Sequence, residues 1–154
     1  MRDSYAGWGE KAMAYWRLFY HFVWATKNRE ALLSPELEPH VHRYSMSKGS
    51  GLGALMFALN GMEDHLHVVA SLPPRVSPAE FVKRLKGSSS RFVTAEFDLP
   101  FAWQKGYGVF SISERDLTRV VAYVKDQKHH HRQGTMVVIW ERMNVEDDSP
   151  RLAG

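Results

Sequence analysis

The stretch Glu63-Asp64-His65-Leu66-His67-Val68-Val69-Ala70 places two histidines one residue apart inside an apolar run. Successive side chains of a β-strand point to opposite faces, so His65 and His67 are predicted to lie side by side, with the alternate apolar residues facing the other way. Two imidazoles on one face can share a metal ion. The chain contains 8 histidines in 154 residues, which supplies about 0.4 such pairs by chance. The pair therefore needs support from the rest of the chain.

The composition indicates a single globular domain. A chain of 154 residues with 44% apolar residues and five tryptophans is long and apolar enough to bury a core. Cysteine is absent, which excludes disulfides and thiolate zinc sites. The N-terminus resembles no signal peptide, and no apolar run approaches the length of a membrane span. We therefore expect a cytoplasmic protein without a membrane partner.

The basic residues are clustered, although the net charge of +3 is modest. Between Arg75 and Arg91 there are five basic residues and one acid, which is typical of a surface that contacts a phosphate backbone. The small residues Gly87 and Ser88 would permit a close approach of DNA. The candidate DNA contacts are Lys83, Arg84, Lys86, Ser88, Arg91 and Lys105. The alternative is an ordinary solvated helix face.

The order of predicted elements indicates an α+β fold. An aromatic strand (residues 15–25) precedes a helix from Ser34-Pro35 to about Met46, and two strands (52–59 and 64–72) are joined by a turn at Asn60-Gly61. A helix capped by Ser77 and Glu80 and a strand at residues 107–112 follow. This βαββαβ order is that of the ferredoxin-like fold, an antiparallel sheet with helices on one face.

A further helix is predicted from about Glu114 to His131. Its core-facing stripe consists of valines and a leucine, and Tyr123 and Gln127 lie together on the border of that stripe because they are four residues apart. Tyr123 has an alternative interpretation as a packing residue. The side chains of His129, His130 and His131 should splay around the helix end and not converge on a metal.

These residues can be combined into one chemical site. A metal held by two neutral imidazoles and the amide oxygen of Gln127 keeps its positive charge and open positions, so it can polarise a phosphodiester. A nearby cation also favours the phenolate of Tyr123, which would make that side chain a nucleophile.

Five segments in this order resemble the single-tyrosine HUH transposases of bacterial insertion sequences, especially those associated with repetitive extragenic palindromes (REP). They are the opening strand (residues 15–29), the histidine strand with its His-Leu-His motif (62–69), the segment Arg84-Leu85-Lys86-Gly87-Ser88-Ser89-Ser90-Arg91, the segment Trp103-Gln104-Lys105-Gly106-Tyr107, and the helix around Tyr123 and Gln127 (121–130). The resemblance covers about residues 15–134. Two departures are Glu63, where the family usually has proline, and residues 135–154, which match poorly.

The resemblance implies the site and the reaction. Tyr123 would be the catalytic nucleophile of a transposase, and His65, His67 and Gln127 would bind Mg²⁺ or Mn²⁺. The substrate would be single-stranded DNA with hairpin ends, cut so that its 5′ end stays on the tyrosine. The resemblance also implies a homodimer in which the tyrosine helix of one subunit can complete the site of the other.

The predicted organisation is an N-terminal extension (residues 1–14), a catalytic HUH domain with an added C-terminal catalytic helix (15–134) and a C-terminal tail (135–154). Two other functions remain open at this point. The first is a non-catalytic nucleic-acid-binding module with the ferredoxin-like fold. The second is another HUH nuclease, either a replication initiator or a relaxase.

Overall fold

A four-stranded antiparallel sheet forms the centre of the computed structural model, which describes residues 14–137 and Glu141. The strands are β1 (Phe19–Ala25), β2 (Leu55–Met62), β3 (His65–Ser71) and β4 (Gly108–Ile112), in the spatial order β2-β3-β1-β4. The helices are α1 (Glu38–Gly51), α2 (Pro78–Phe97), α3 (Leu117–Lys125) and α4 (Gln127–Gln133). This arrangement confirms the predicted α+β, ferredoxin-like fold. The predicted extension and tail lie outside the described residues, except Ala14, residues 135–137 and Glu141.

The two faces of the sheet carry different helices. On one face, Phe22 and Leu66 pack with Phe81 and Leu85 of α2 in the larger core cluster. Helix α1 packs against α2 through a separate cluster that includes Val41 and Val93. On the opposite face, α3 packs its valines against β2 and β3. The added C-terminal helix therefore covers the sheet face that α1 and α2 leave open.

Two glycines lie inside elements where the sequence predicted an end or a turn. Helix α1 continues past its predicted end near Met46 and includes Gly49. A Cβ at Gly49 would lie 2.5 Å from the sulfur of Met56, so this glycine allows β2 to approach the helix. Asn60-Gly61 belongs to β2, and the chain turns at Glu63-Asp64. The predicted turn at Asn60-Gly61 was wrong, because Gly61 allows the backbone of β3 to come close to β2. A Cβ at this position would lie 2.1 Å from the carbonyl oxygen of His65.

Gly61→Ala should destabilise the protein by about 1–3 kcal/mol, the usual range for a forced overpacking contact. The backbone of β3 cannot move away without disturbing the histidine strand. Chemical denaturation in urea measures the effect. Gly87→Ala is the control, because a Cβ there meets nothing within 4 Å and alanine favours a helix by about 0.5–1 kcal/mol. Equal unfolding midpoints for the two variants would contradict this prediction.

The last predicted helix is two helices, because the chain breaks at Asp126 (φ −103°, ψ 25°). Asn60 holds this break: its Nδ2 donates to the carbonyl of Lys125 (2.9 Å), and its Oδ1 accepts from Lys128 Nζ (3.1 Å). The side chain therefore satisfies a carbonyl at the end of α3. Helix α4 begins directly after this break.

Candidate active site

His65 and His67 lie on β3 and are fully buried on the sheet face that α3 covers. The strand alternation is as predicted, since Leu66 and Val68 join the core on the other face. The ring centroids of the two histidines are 5.1 Å apart. Their Nε2 atoms lie 3.5 Å and 3.0 Å from the same oxygen, Oε2 of Glu141. The two imidazoles therefore converge on one point.

The other ring nitrogens of the pair contact separate partners. The Nδ1 atom of His65 lies 2.7 Å from Oδ1 of Asp64, and this hydrogen bond lowers the pKa of the Asp64 carboxyl to about 2 against the opposing effect of burial. The Nδ1 atom of His67 lies 2.8 Å from Nε2 of His21 on β1. Each histidine is thus held through Nδ1 and presents Nε2 to Glu141.

Tyr123 lies close to the histidines of its own chain. Helix α3 buries it against the sheet, where its ring centroid is 6.2 Å from that of His67. Its hydroxyl donates to Oε1 of Glu141 (2.6 Å) and accepts from the backbone N–H of Val137 (3.0 Å). Tyr123 is therefore more buried than its predicted place on the border of the helix stripe would suggest.

The break before α4 brings a third histidine to the site. His131 Nε2 lies 3.6 Å from Oε1 of Glu141 and 3.1 Å from Oε1 of the buried Gln127. His130 instead packs its ring on Tyr123, with centroids 4.6 Å apart. The three consecutive side chains splay as predicted, and of the three it is His131 that contacts Glu141.

One group of ligand atoms could hold a metal ion. It comprises His65, His67, His131 and Glu141, whose nitrogen and oxygen atoms all lie within 4.8 Å of one another. Gln127 lies beside this group through its contact with His131. Sequence reasoning missed Glu141 because no local pattern distinguishes that carboxylate from others near the C-terminus. Glu141 belongs to the group through its contact with His67, a residue far away in sequence.

Burial and the contact with Glu141 keep the phenol of Tyr123 protonated. Burial and the hydrogen bond to Glu141 raise the pKa of Tyr123 to about 12, although the N–H of Val137 opposes the shift. Burial also raises the pKa of Glu141, but hydrogen bonds from His67 and Tyr123 outweigh it and lower that pKa to about 2. Burial lowers the pKa of His67 and of His131. At neutral pH these shifts favour a phenol at Tyr123, a carboxylate at Glu141 and neutral imidazoles at His67 and His131.

The titration of Tyr123 gives a test of this geometry. Its pKa in the folded state exceeds the ordinary 10.0, so the stability contributed by the protonated phenol is complete below pH 10 and is lost as pH rises through 12. The difference in absorbance near 295 nm between the parent and Tyr123→Phe should show one group titrating near pH 12. Glu141→Gln should lower that midpoint, because it removes the nearby negative charge. A midpoint near 10 in the parent would contradict the described contact.

Comparison with known proteins identifies the family. The model of the "Transposase IS200 like" family matches residues 14–127. The chain belongs to this family. This chain is 24% identical over 119 residues to the ISDra2 transposase TnpA of Deinococcus radiodurans. The match covers 73% of this chain and 85% of that one. The chain is 27% identical over 139 residues to the transposase for insertion sequence element IS200 of Salmonella typhimurium, covering 84% of this chain and 91% of that one.

A solved structure supports the fold of the transposase. It is a REP-associated tyrosine transposase bound to a REP hairpin, and it is similar to this chain with a TM-score of 0.57 at 17% identity. The match covers 80% of this chain and 76% of that chain. The family match over residues 14–127 confirms the predicted resemblance to HUH transposases at the level of the family, and the chain is an enzyme of the transposase class.

The predicted DNA contacts of the transposase are not next to Tyr123. Most of them lie on α2, which packs on the sheet face opposite the histidines. Lys83, Arg91 and Lys105 are exposed, and Arg84 is exposed but forms an ion pair with Glu80 (2.7 Å).

Two other predicted contacts, Lys86 and Ser88, are held by hydrogen bonds to backbone carbonyls. Lys86 Nζ donates to the carbonyls of Gln104 (2.6 Å) and Gly106 (3.0 Å), and burial lowers its pKa. Ser88 is buried, and its hydroxyl donates to the carbonyl of Leu85 (3.3 Å). In this arrangement Lys86 holds the loop before β4 and Ser88 lies within the helix packing, so the exposed basic residues are the better candidates for DNA contact.

None of the helices within the described residues combines the length and hydrophobicity that crossing a bilayer requires.

Proposed function

We propose that this transposase cleaves and rejoins single-stranded DNA beside hairpins, with Tyr123 as the nucleophile and a divalent metal ion bound around His65 and His67. One observation carries the proposal: the carboxylate of Glu141 contacts both the hydroxyl of Tyr123 (2.6 Å) and Nε2 of His67 (3.0 Å). The proposed nucleophile and a proposed metal-ligating nitrogen thus contact the same carboxylate, so a phosphate bound to a metal at this position would lie near the hydroxyl of Tyr123.

The residues of the site fit a divalent ion. Imidazole nitrogens and carboxylate or amide oxygens together suit Mn²⁺, and Mg²⁺ prefers an oxygen-rich set. His65, His67 and Glu141 would hold the metal, with Gln127 and His131 as further candidates. When bound, it would withdraw charge from the phosphodiester and stabilise the leaving 3′ oxygen.

The residues of the chain would account for the proton and the covalent bond. The Oη atom of Tyr123 attacks phosphorus, the bond from phosphorus to the 3′ oxygen breaks, and that oxygen takes a proton from water. The proton of the phenol passes to Glu141, which already accepts its hydrogen bond. This transfer becomes favourable as bond formation to phosphorus makes the phenol more acidic. The product is a 5′-phosphotyrosine and a free 3′ hydroxyl.

The DNA partner is inferred from charge and family. Lys83, Arg91 and Lys105 offer exposed cations for phosphate contacts, and a structural relative is a transposase bound to a REP hairpin. In this arrangement the hairpin stem would lie on the α2 face of the sheet. Its single-stranded flank would cross to the opposite face, where Tyr123 lies. Binding should then weaken with salt as those cations release counterions.

The assembly we propose is a homodimer. Tyr123 and both histidines come together within one chain, so each subunit can carry its own site. Mixing Tyr123→Phe with His67→Ala protein tests sharing between subunits. Activity restored in the mixture would indicate that one subunit supplies the tyrosine and the other the histidines, and no restoration is expected.

The experiment that tests the proposed function uses labelled hairpin oligonucleotides with single-stranded flanks and Mn²⁺. Denaturing gels should show a covalent protein–DNA band that forms with Mn²⁺ and disappears with a chelator. A fully paired duplex is the matched control and should give no band. If no flanked hairpin gives a covalent band, the proposed reaction is wrong.

A further inference from the structure

A third buried histidine lies beside the pair, on a different strand. His21 is on β1, where the sheet register pairs it with Val69 and pairs Val23 with His67. His21 is therefore the diagonal neighbour of His67 on the same sheet face, within reach of a long side chain. It is 1% exposed, and its ring is nearly parallel to that of His67, with an interplanar angle of 20° and centroids 5.0 Å apart.

The two rings share one hydrogen bond. Nε2 of His21 lies 2.8 Å from Nδ1 of His67, a normal length for this type of bond. A hydrogen bond between two ring nitrogens contains one proton, so one ring donates it and the other accepts it.

A metal ion bound at Nε2 of His67 would decide which of the two rings donates this hydrogen bond. The coordinating nitrogen must be unprotonated, which leaves the single proton of the ring on Nδ1. That proton then points at Nε2 of His21, which can only accept it. In the same way, Asp64 lies at Nδ1 of His65. Both histidines of the motif thus have an acceptor behind them and the candidate metal position in front.

We propose that His21 is a positioning residue of the metal site: its Nε2 accepts the Nδ1–H of His67 and thereby fixes the tautomer and ring orientation that present Nε2 of His67 to the metal. This inference rests on the metal site of the proposed function. Partners of this kind hold the rings of metal-binding histidines in many proteins, and their loss costs about 10–100-fold in metal affinity.

The acceptors behind the two ligands differ in charge. Asp64 is an anion in the turn just before β3, next to Arg29 (3.1 Å), where solvent and that guanidinium compensate its charge. His21 lies in the closed part of the sheet, with Phe110 on its other side at a centroid distance of 5.8 Å. A neutral acceptor suits this place, because an unpaired carboxylate buried there would carry a large desolvation cost.

The test compares two substitutions of His21. His21→Gln keeps a carbonyl acceptor of similar reach, whereas His21→Leu keeps the burial and removes the acceptor. Phe110→Leu is the matched control, because it alters the packing against His21 and leaves the hydrogen bond. Manganese affinity is measured from the electron paramagnetic resonance signal of free Mn²⁺, and thermal unfolding is recorded for each variant.

The expected results separate positioning from packing. His21→Leu should bind Mn²⁺ about 10–100-fold more weakly, His21→Gln should recover most of that loss, and Phe110→Leu should bind like the parent. In parent protein loaded with Zn²⁺ as a diamagnetic probe, ¹⁵N spectra should show the proton of His67 on Nδ1. The spectra test the proposal without any substitution at His21, so a variant that fails to fold does not prevent the test.

Three results would overturn the role of His21: parent affinity in His21→Leu, equal losses in the glutamine and leucine variants, or a His67 Nδ1 without a proton. His67→Ala separates this failure from that of the proposed function. If His67→Ala leaves Mn²⁺ binding intact, the metal site is misplaced and both ideas fall. If His67→Ala abolishes binding and the His21 variants do not weaken it, only the role of His21 falls.

Discussion

Replacing Tyr123 by phenylalanine should abolish the covalent protein–DNA adduct and leave hairpin binding close to that of the parent. The substitution removes only the hydroxyl, which is the proposed nucleophile. The ring stays packed among Val120, Val124 and the sheet. The lost hydrogen bonds to Glu141 and Val137 should cost about 1–3 kcal/mol of unfolding free energy, because a buried carboxylate oxygen and a backbone N–H lose their partner.

Two measurements follow this prediction. Labelled hairpin substrate on denaturing gels reports the adduct, and a mobility shift without metal reports binding. Tyr44→Phe is the matched control, because Tyr44 lies on α1 and stacks on Phe92 (4.4 Å between centroids), in a cluster away from the site. An adduct that persists in Tyr123→Phe would assign the nucleophile to another residue. Loss of adduct in the Tyr44→Phe variant would show that the assay responds to general destabilisation.

The second large effect is expected from His67→Ala, which should reduce Mn²⁺ affinity by more than about 100-fold and remove the adduct. Loss of an outer partner alone costs 10–100-fold in comparable sites, and this change removes a ligand itself. It also leaves Oε2 of Glu141 without its 3.0 Å contact to a ring nitrogen. Calorimetry with Mn²⁺ measures the first effect and the gel assay the second.

His42→Ala is the control for this variant. His42 is a half-buried histidine on α1, and burial lowers its pKa, but it lies outside the group of metal-ligating atoms. It should keep the parent affinity for Mn²⁺. If His67→Ala and His42→Ala bind the metal equally well, the ion is held elsewhere.

The parts of the fold that sequence alone could predict are those that local periodicity encodes. The alternation along β3 fixes which side chains share a face, so the side-by-side placement of His65 and His67 followed from their spacing. The valine stripe of α3 likewise predicted a helix that covers the sheet. The four-residue spacing placed Tyr123 and Gln127 together on the predicted helix, the resemblance gave them their expected roles, and the structure places Tyr123 beside His67 and Gln127 beside His131.

The rest depends on contacts between residues far apart in sequence. His21 is in an aromatic strand that reads as ordinary core, and only the register of β1 against β3 makes it a neighbour of His67. His131 reaches the site because the chain breaks at Asp126, and the anchor of that break is Asn60 on β2. Glu141 lies in the site because it contacts His67, which is 74 residues earlier in the chain. No window of sequence contains both members of these pairs.

Strand β3 is buried at every position, so its two faces cannot be exchanged. A slip of one residue against its neighbours would put two imidazoles into the hydrocarbon interior and carry Leu66 and Val68 to the side of Glu141. Burying the two imidazoles without hydrogen-bond partners would lower the stability of the fold, so such a slip would impair folding before it could impair catalysis. Errors of register in this strand should therefore yield unfolded or degraded chains, and the native population should consist of molecules whose histidine pair already faces the tyrosine.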